Sequence, residues 1–459
     1  MKRSETRMAR LVRHWYNSRL AVIFESLIIG LITGLVVVLF RILLNHADVL
    51  RRRLYGALPE LPLYWTLLWI FGLIAGGLFL GWAAKLRPMI KGSGIPQIKG
   101  ALNRRMTLDW GPELPLKLIT GTLGLGAGLS LGREGPSIQI GAYVGKGVLS
   151  IFHRPRRERK ILIAAASAAG LAAAFNAPLA GVLFVLEELQ SQSSPPQEAG
   201  SSEGAFFPPL FLACAMGASI TADAAASYFF GLRPVFDFNS VTVLPLSAFF
   251  WVTLLGVLCG LAGDLFKRSL YCSLNLYDRF PVSQIFKPLI PLLVSVPLGF
   301  FLFDLIGGGH GLIESLSVTE RSLGMLAVLL AGKILFTALC YGSGTAGGIF
   351  LPLLACGALA GDLLGHLLIR GGFIAAGQNL NFMILGMAAF FAAVVKAPVT
   401  GMVLILEMSG NFNHLGGLVL VCLSAFVTTE LIASPPVYAV LLERMLKSGP
   451  PAVKGCQLG

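Results

Sequence analysis

An all-α polytopic membrane protein is the fold class this sequence predicts, and three observations predict it. Of 459 residues, 55% are hydrophobic and only 13% charged, against about a quarter charged in soluble domains. Uncharged runs cover 61–84, 161–186, 238–263, 334–361, 371–395 and 408–429, each longer than the roughly 20 residues a helix needs to cross a bilayer. Shorter runs lie at 26–40, 118–132 and 288–303. The runs are continuous rather than alternating in segments of about ten, which excludes a membrane β-barrel.

Taken in order, the first twenty residues carry Lys2, Arg3, Arg7, Arg10, Arg13 and Arg19 ahead of the first apolar run. Positive charge beside a first span favours a cytoplasmic N-terminus, so 1–20 is expected to be a cytoplasmic segment, and no cleavable signal peptide is evident. A net charge of +13 and a pI near 9.6 come from Lys and Arg between the runs, not from a basic face interleaved with aromatics. They flank a membrane and do not indicate nucleic acid. The lipid bilayer is the expected surroundings. Cysteines 214, 259, 272, 340, 356, 422 and 456 form no CxxC, and the six histidines form no HExxH, so no metal site is indicated. The polar stretch 190–209 reads as a solvent loop. The tail 448–459 is expected to be too short for a soluble regulatory domain.

Glycine numbers 54, and several glycines stand with proline where a spanning helix ought to continue: Gly92-Ser93-Gly94-Ile95-Pro96, Gly132-Arg133-Glu134-Gly135-Pro136 and Gly347-Gly348-Ile349-Phe350-Leu351-Pro352. Proline suits the first turn of a helix, so each motif reads as a loop opening into a new helix. The halves repeat. Gly132, Pro136, Gly141 and Gly145 match Gly348, Pro352, Gly357 and Gly361 at one offset of 216 (348 − 132), and Asn176-Ala177-Pro178 through Glu187 matches Lys396-Ala397-Pro398 through Glu407 at 220 (396 − 176). The membrane region 21–447 is accordingly expected as two repeats, about 21–190 and 240–447. Paired broken helices in two halves point to a transport site near the midplane.

Helix starts expose unpaired N–H groups at the positive end of the helix dipole, so several converging in a dry site can replace the water around an anion. Taken singly, each motif could equally be a packing kink. Glu134 lies in an otherwise apolar stretch at one such start, and its carboxylate could itself occupy an anion position; the plain alternative is a loop glutamate paired with Arg133. Glu187 and Glu188 close a 26-residue uncharged run, where interface carboxylates are common; Glu407 is the repeat partner of Glu187. Gly342-Ser343-Gly344-Thr345-Ala346-Gly347 spells GxGxxG, but no βαβ alternation surrounds it. An intramembrane hydrolase would need a Ser with a His or Lys partner, which the sequence does not suggest.

Together, GSGIP at 92–96, GREGP at 132–136, AAFNAPLAG with LEE within 173–188, GGIFLP at 347–352 and the late Tyr438 resemble the CLC family of chloride channels and chloride/proton antiporters. The resemblance spans nearly the whole chain. It implies about eighteen helices of uneven length in two inverted repeats, a homodimer with one pathway per subunit, and a multi-pass protein of prokaryotic type in the cell membrane. Position by position, it implies that Ser93 and Tyr438 donate hydroxyls to a central chloride, completed by backbone N–H groups of Ile349 and Phe350, with Gly92 at an inner site and Arg133 also among the chloride-binding residues. Glu134 takes the place of the gating glutamate, Glu188 that of the internal proton acceptor, and Glu187 a supporting place on the proton pathway. An acidic residue at 188 favours an electrogenic antiporter over a gated channel of the same fold, with an intramembrane enzyme a remote third. Chloride and protons are the implied substrates, with no cofactor and no catalytic residues. Leu351 departs from the family's commoner alanine, the loop 190–209 is longer than usual, and the paired soluble C-terminal domains of many eukaryotic members are missing, so the resemblance supplies no site for nucleotide regulation.

Overall fold

Helices follow the apolar runs, but not always one helix to a run. The computed structural model describes residues 19–447 apart from 153, 191–208, 233, 237 and 239–243; the basic residues at 2–13, nearly all of the loop 190–209, Cys456 and the tail lie outside the described residues. Seventeen α-helices and no strands occur among them. The first half comprises α1 (Arg19–Ala57), α2 (Leu63–Leu86), α3 (Ile95–Leu102), α4 (Trp110–Gly126), α5 (Glu134–Ile151), α6 (Arg156–Phe175), α7 (Pro178–Phe184) and α8 (Pro209–Phe230). The second comprises α9 (Phe249–Arg279), α10 (Leu289–Phe301), α11 (His310–Val318), α12 (Leu323–Gly342), α13 (Phe350–Arg370), α14 (Asn379–Val395), α15 (Pro398–Ser409), α16 (Leu415–Leu431) and α17 (Val437–Lys447). Among the described residues, seven stretches are long and apolar enough to cross a membrane.

Two of the long uncharged runs are not single spans. The run 161–186 stops at Asn176, whose φ of 52° ends α6 in the left-handed region, and Pro178 opens α7. Asparagine tolerates that conformation and proline suits a first turn. Lys396, φ 62°, does the same between α14 and α15, 220 positions on. The run 334–361 divides between α12 and α13, with Gly342-Gly347 as the joint, so the literal GxGxxG links two helices rather than a strand to a helix.

The repeated glycines are close-contact points. A Cβ at Gly141 would lie 2.1 Å from the Ala166 oxygen of α6, and one at Gly361 would lie 2.0 Å from the Phe382 oxygen of α14, so α5 on α6 and α13 on α14 approach in the same way. In membranes such small-residue contacts replace the hydrophobic drive of water. Every residue from Leu380 to Val395 of α14 is buried, as expected of a helix apolar all round. By contrast, α2 and α9 present Phe71 and Phe250, 68% and 69% exposed, on the outer surface.

Candidate anion and proton site

Three broken helices meet in the interior. Gly92, φ 59°, and Gly94, φ 87°, turn the chain into α3, leaving Ser93 fully buried at its mouth. A Cβ at Gly94 would sit 2.3 Å from the Gln139 side-chain oxygen of α5, so both its φ and its neighbour require glycine. The joint before α13 is laced to this loop: the Gly92 N–H donates to the Thr345 oxygen (3.1 Å) and the Gly347 N–H donates to the Gly92 oxygen (3.0 Å). The α5 start touches it as well, since a Cβ on Gly135 would come within 2.7 Å of the Ser93 oxygen.

Opposite, the starts of α5 and α13 pair across an antiparallel bridge, with the Gly132 N–H donating to the Gly348 oxygen (2.6 Å) and the Gly348 N–H to the Gly132 oxygen (2.7 Å). Equivalent residues bond reciprocally and run in opposite directions, which is what an inverted repeat requires. Glu134, fully buried, accepts the Leu351 N–H in one carboxylate oxygen (3.4 Å). Its other oxygen has no hydrogen-bond partner. The carboxylate therefore lies at the start of α13, where the N–H groups of that helix present positive charge. Ile349 and Phe350 are fully buried, and the Phe350 ring packs against Phe175, Phe184 and Phe391.

Tyr438, in the first turn of α17, is 0% exposed, and its hydroxyl has no partner. It lies within the electrostatic reach of Tyr341, Glu188 and Glu134. A buried hydroxyl left without a partner is costly, and the Tyr438 O–H is a donor that could serve an acceptor such as an anion. Arg133, whose charge acts on Glu134, also lines a cavity of about 420 Å³ together with Arg51, Arg52, His310 and Leu351.

The two adjacent glutamates separate. Val185–Gln190 is a π-helical turn, wider than the α-helix, for which the sequence predicts about 100° between neighbours; π turns recur at functional sites. Glu188 is buried and paired with Lys99 of α3 at 2.7 Å. Glu187 instead accepts from the N–H groups of Val399 (3.2 Å) and Thr400 (2.7 Å) and from the Thr400 hydroxyl (2.6 Å), capping α15. Glu407 of α15 returns the bond, accepting from Leu179 (3.0 Å) and Ala180 (2.8 Å) at the start of α7.

Lysines are what sequence reasoning missed. Lys117, fully buried, donates to the oxygens of Ile90 and Gly92, both at 2.8 Å. Lys333, also fully buried, donates to Leu305 (3.1 Å) and Gly307 (2.8 Å). The two lysines stand 216 apart (333 − 117), the register already visible in the glycines, so the signal was present. Gly307, Gly308 and Gly309 likewise answer Gly92, Ser93 and Gly94 at 215 (307 − 92).

A polytopic helical protein in which broken helices aim their N-termini at buried hydroxyls and a buried carboxylate is, by class, an ion-transport protein of the membrane. The family model described as "Voltage gated chloride channel" matches residues 76–430, and the chain belongs to this CLC family. It is 34% identical to the H(+)/Cl(-) exchange transporter ClcA of Yersinia pestis bv. Antiqua (strain Angola), over 96% of this chain and 92% of that one. It is 33% identical to ClcA of Salmonella agona (strain SL483), over 93% and 89%. Its fold is similar to that of a slow cyanobacterial Cl-/H+ antiporter with a TM-score of 0.85 and 31% identity, covering 94% of this chain and 99% of that chain.

Proposed function

We propose that this protein is an electrogenic antiporter that exchanges chloride for protons across a prokaryotic cell membrane, as a homodimer with one pathway in each subunit and its N-terminus in the cytoplasm. It is a transporter and not an enzyme. The observation that carries the reading is Glu134: an ionisable group, wholly buried, at the helix-start N–H of Leu351, where an anion gains most. Ionised, the carboxylate fills the outer anion position. Protonated, it loses its claim on the helix field and yields the place to chloride while carrying a proton outward.

The remaining residues follow from that step. Ser93, Tyr438 and the N–H groups of Ile349 and Phe350 hold the central ion, Gly92 belongs to the inner position, and Arg133 draws anions into the outer cavity. Glu188 receives the proton from the cytoplasm, with Glu187 as its neighbour on the capping side of the turn. Chloride is bound as substrate, and the protein needs no cofactor. The division into repeats at 21–190 and 240–447 is part of the same reading. An acidic, buried Glu188 favours the exchanger over a gated channel. Reversal potential in planar bilayers tests it: at fixed chloride gradient, an exchanger's potential moves with the pH gradient, and a potential that follows chloride alone would establish the channel.

A further inference from the structure

The Lys99–Glu188 pair is an odd object to bury in a membrane protein. Both side chains are 2–3% exposed, the ammonium nitrogen lies 2.7 Å from the carboxylate oxygen, and the partners come from segments 89 residues apart. Buried pairs seldom repay the desolvation of both charges, whereas removing one partner leaves the other stranded. The pair joins elements that transport has to coordinate. Helix α3 carries Ser93 at its mouth and Lys99 in its last turn, and it packs against α5, α17 and the π turn, so one two-turn rod touches the elements bearing Glu134, Tyr438 and Glu188.

We infer that Lys99 is a positioning residue for the internal proton acceptor: its ammonium holds ionised Glu188 against α3, and arrival of a proton on Glu188 releases the carboxyl group from that hold. The inference rests on Glu188 being the internal proton acceptor. In the step, the Glu188 carboxylate gains one proton from the cytoplasmic side and becomes a neutral acid, while the lysine keeps its charge. Neutralisation weakens the attraction across 2.7 Å and frees the side chain to turn toward Glu134 and pass the proton on. Among the described residues, the charged and titratable groups recorded against Glu188 come from three elements. Lys99 approaches from α3, Glu187 from its own turn and the Tyr438 hydroxyl from α17; α7 carries no ionisable side chain, and the charges of α6 are confined to residues 156–160. Lys99 is thus the cation that sets the proton affinity of the acceptor.

The test uses the full chain in proteoliposomes, with infrared difference spectra following protonation of the Glu188 carboxyl, assigned by its loss in Glu188→Gln. Lys99→Met is expected to move the protonation midpoint of Glu188 to higher pH by about 1–3 units, the range set by an opposite charge at contact. The pH dependence of chloride-driven proton uptake should move with it, and Lys99→Arg should restore both. An unmoved midpoint in folded Lys99→Met overturns the inference. Should Lys99→Met fail to fold, Lys99→Gln, which keeps a hydrogen-bond donor to the carboxylate and removes the charge, reads the same midpoint, and an unmoved midpoint there overturns the inference. Full proton uptake in Glu188→Gln would instead remove the proton role of Glu188, a result separable from the midpoint shift, which reads the pair directly.

Discussion

The mouths of α3 and α11 are one construction used twice. Gly92 and Gly94 turn the chain with φ of 59° and 87°; Gly307 and Gly309 do so with 74° and 109°. Lys117 ties down the first loop by two carbonyls and Lys333 the second. The side chains around them differ. The first mouth holds the buried Ser93, with the Tyr341 hydroxyl 3.0 Å from where a Cβ on Gly92 would stand. The second has Gly308 in the serine's place and opens on a cavity lined by Arg51, Arg52, Arg133 and His310 together with Asp48, Asp304 and Glu314. Repetition duplicates the backbone construction, while the side chains differ: a buried serine at one mouth and a cavity of mixed charge at the other.

The largest expected effect removes the charge that divides those two environments. Glu134→Gln mimics the protonated carboxyl, so chloride flux should persist while chloride-driven proton uptake falls to zero, as read with a pH electrode on proteoliposomes; residual pumping would refute the assignment. Next, Lys117→Met and Lys333→Met each delete two charge-assisted bonds, worth about 1.5–3 kcal/mol apiece, so both should lower thermal stability in detergent. Only Lys117→Met should also weaken chloride binding by calorimetry, because only its loop presents Ser93. Equal losses of affinity in both would erase the distinction between the mouths.

A smaller change comes from Tyr438→Phe, which keeps the ring and removes one donor. Chloride affinity should fall by about 0.5–1.5 kcal/mol, and no change would place the phenol outside the anion site. Ser93→Pro should shift preference from chloride toward nitrate by replacing a hydroxyl donor next to a small, spherical ion; an unchanged ratio of nitrate to chloride flux in folded protein counts against it. Smallest of all, Glu187→Gln and Glu407→Gln should each cost about 1 kcal/mol, the usual scale of a helix cap. The two costs should match, since each carboxylate caps the other half's helix, and Glu187→Gln should leave proton coupling intact.

Much of this was legible before any coordinates. The offset of 216 pairs Gly132 with Gly348, which exchange backbone bonds, and the Gly-Pro motifs mark three helix starts that meet in the interior. The single-span reading of 161–186 failed because one residue, Asn176, reverses the chain in a run with no charge to mark the break. The Lys99–Glu188 pair was not legible, because nothing local links residues 89 apart. The π turn escaped for a related reason: LEE on an ordinary helix already places its two carboxylates on different faces, and only packing reveals that one faces Lys99 and the other α15. Lys117 and Lys333 looked like membrane-flanking charges until their shared register with the glycines was matched to two sets of backbone carbonyls.

The exchanged caps have a consequence for how such a chain comes to exist. Glu187 completes α15 and Glu407 completes α7, while Gly132 and Gly348 trade backbone bonds. In the language of assemblies, the joint between the halves is isologous: each surface supplies what the other lacks. Neither half caps its own α7 or α15 start, so severing the chain within 191–208 should leave two fragments that each lack one cap alone but are competent together when co-expressed. A single half inserted into a membrane in both orientations would meet its complement in its own inverted copy.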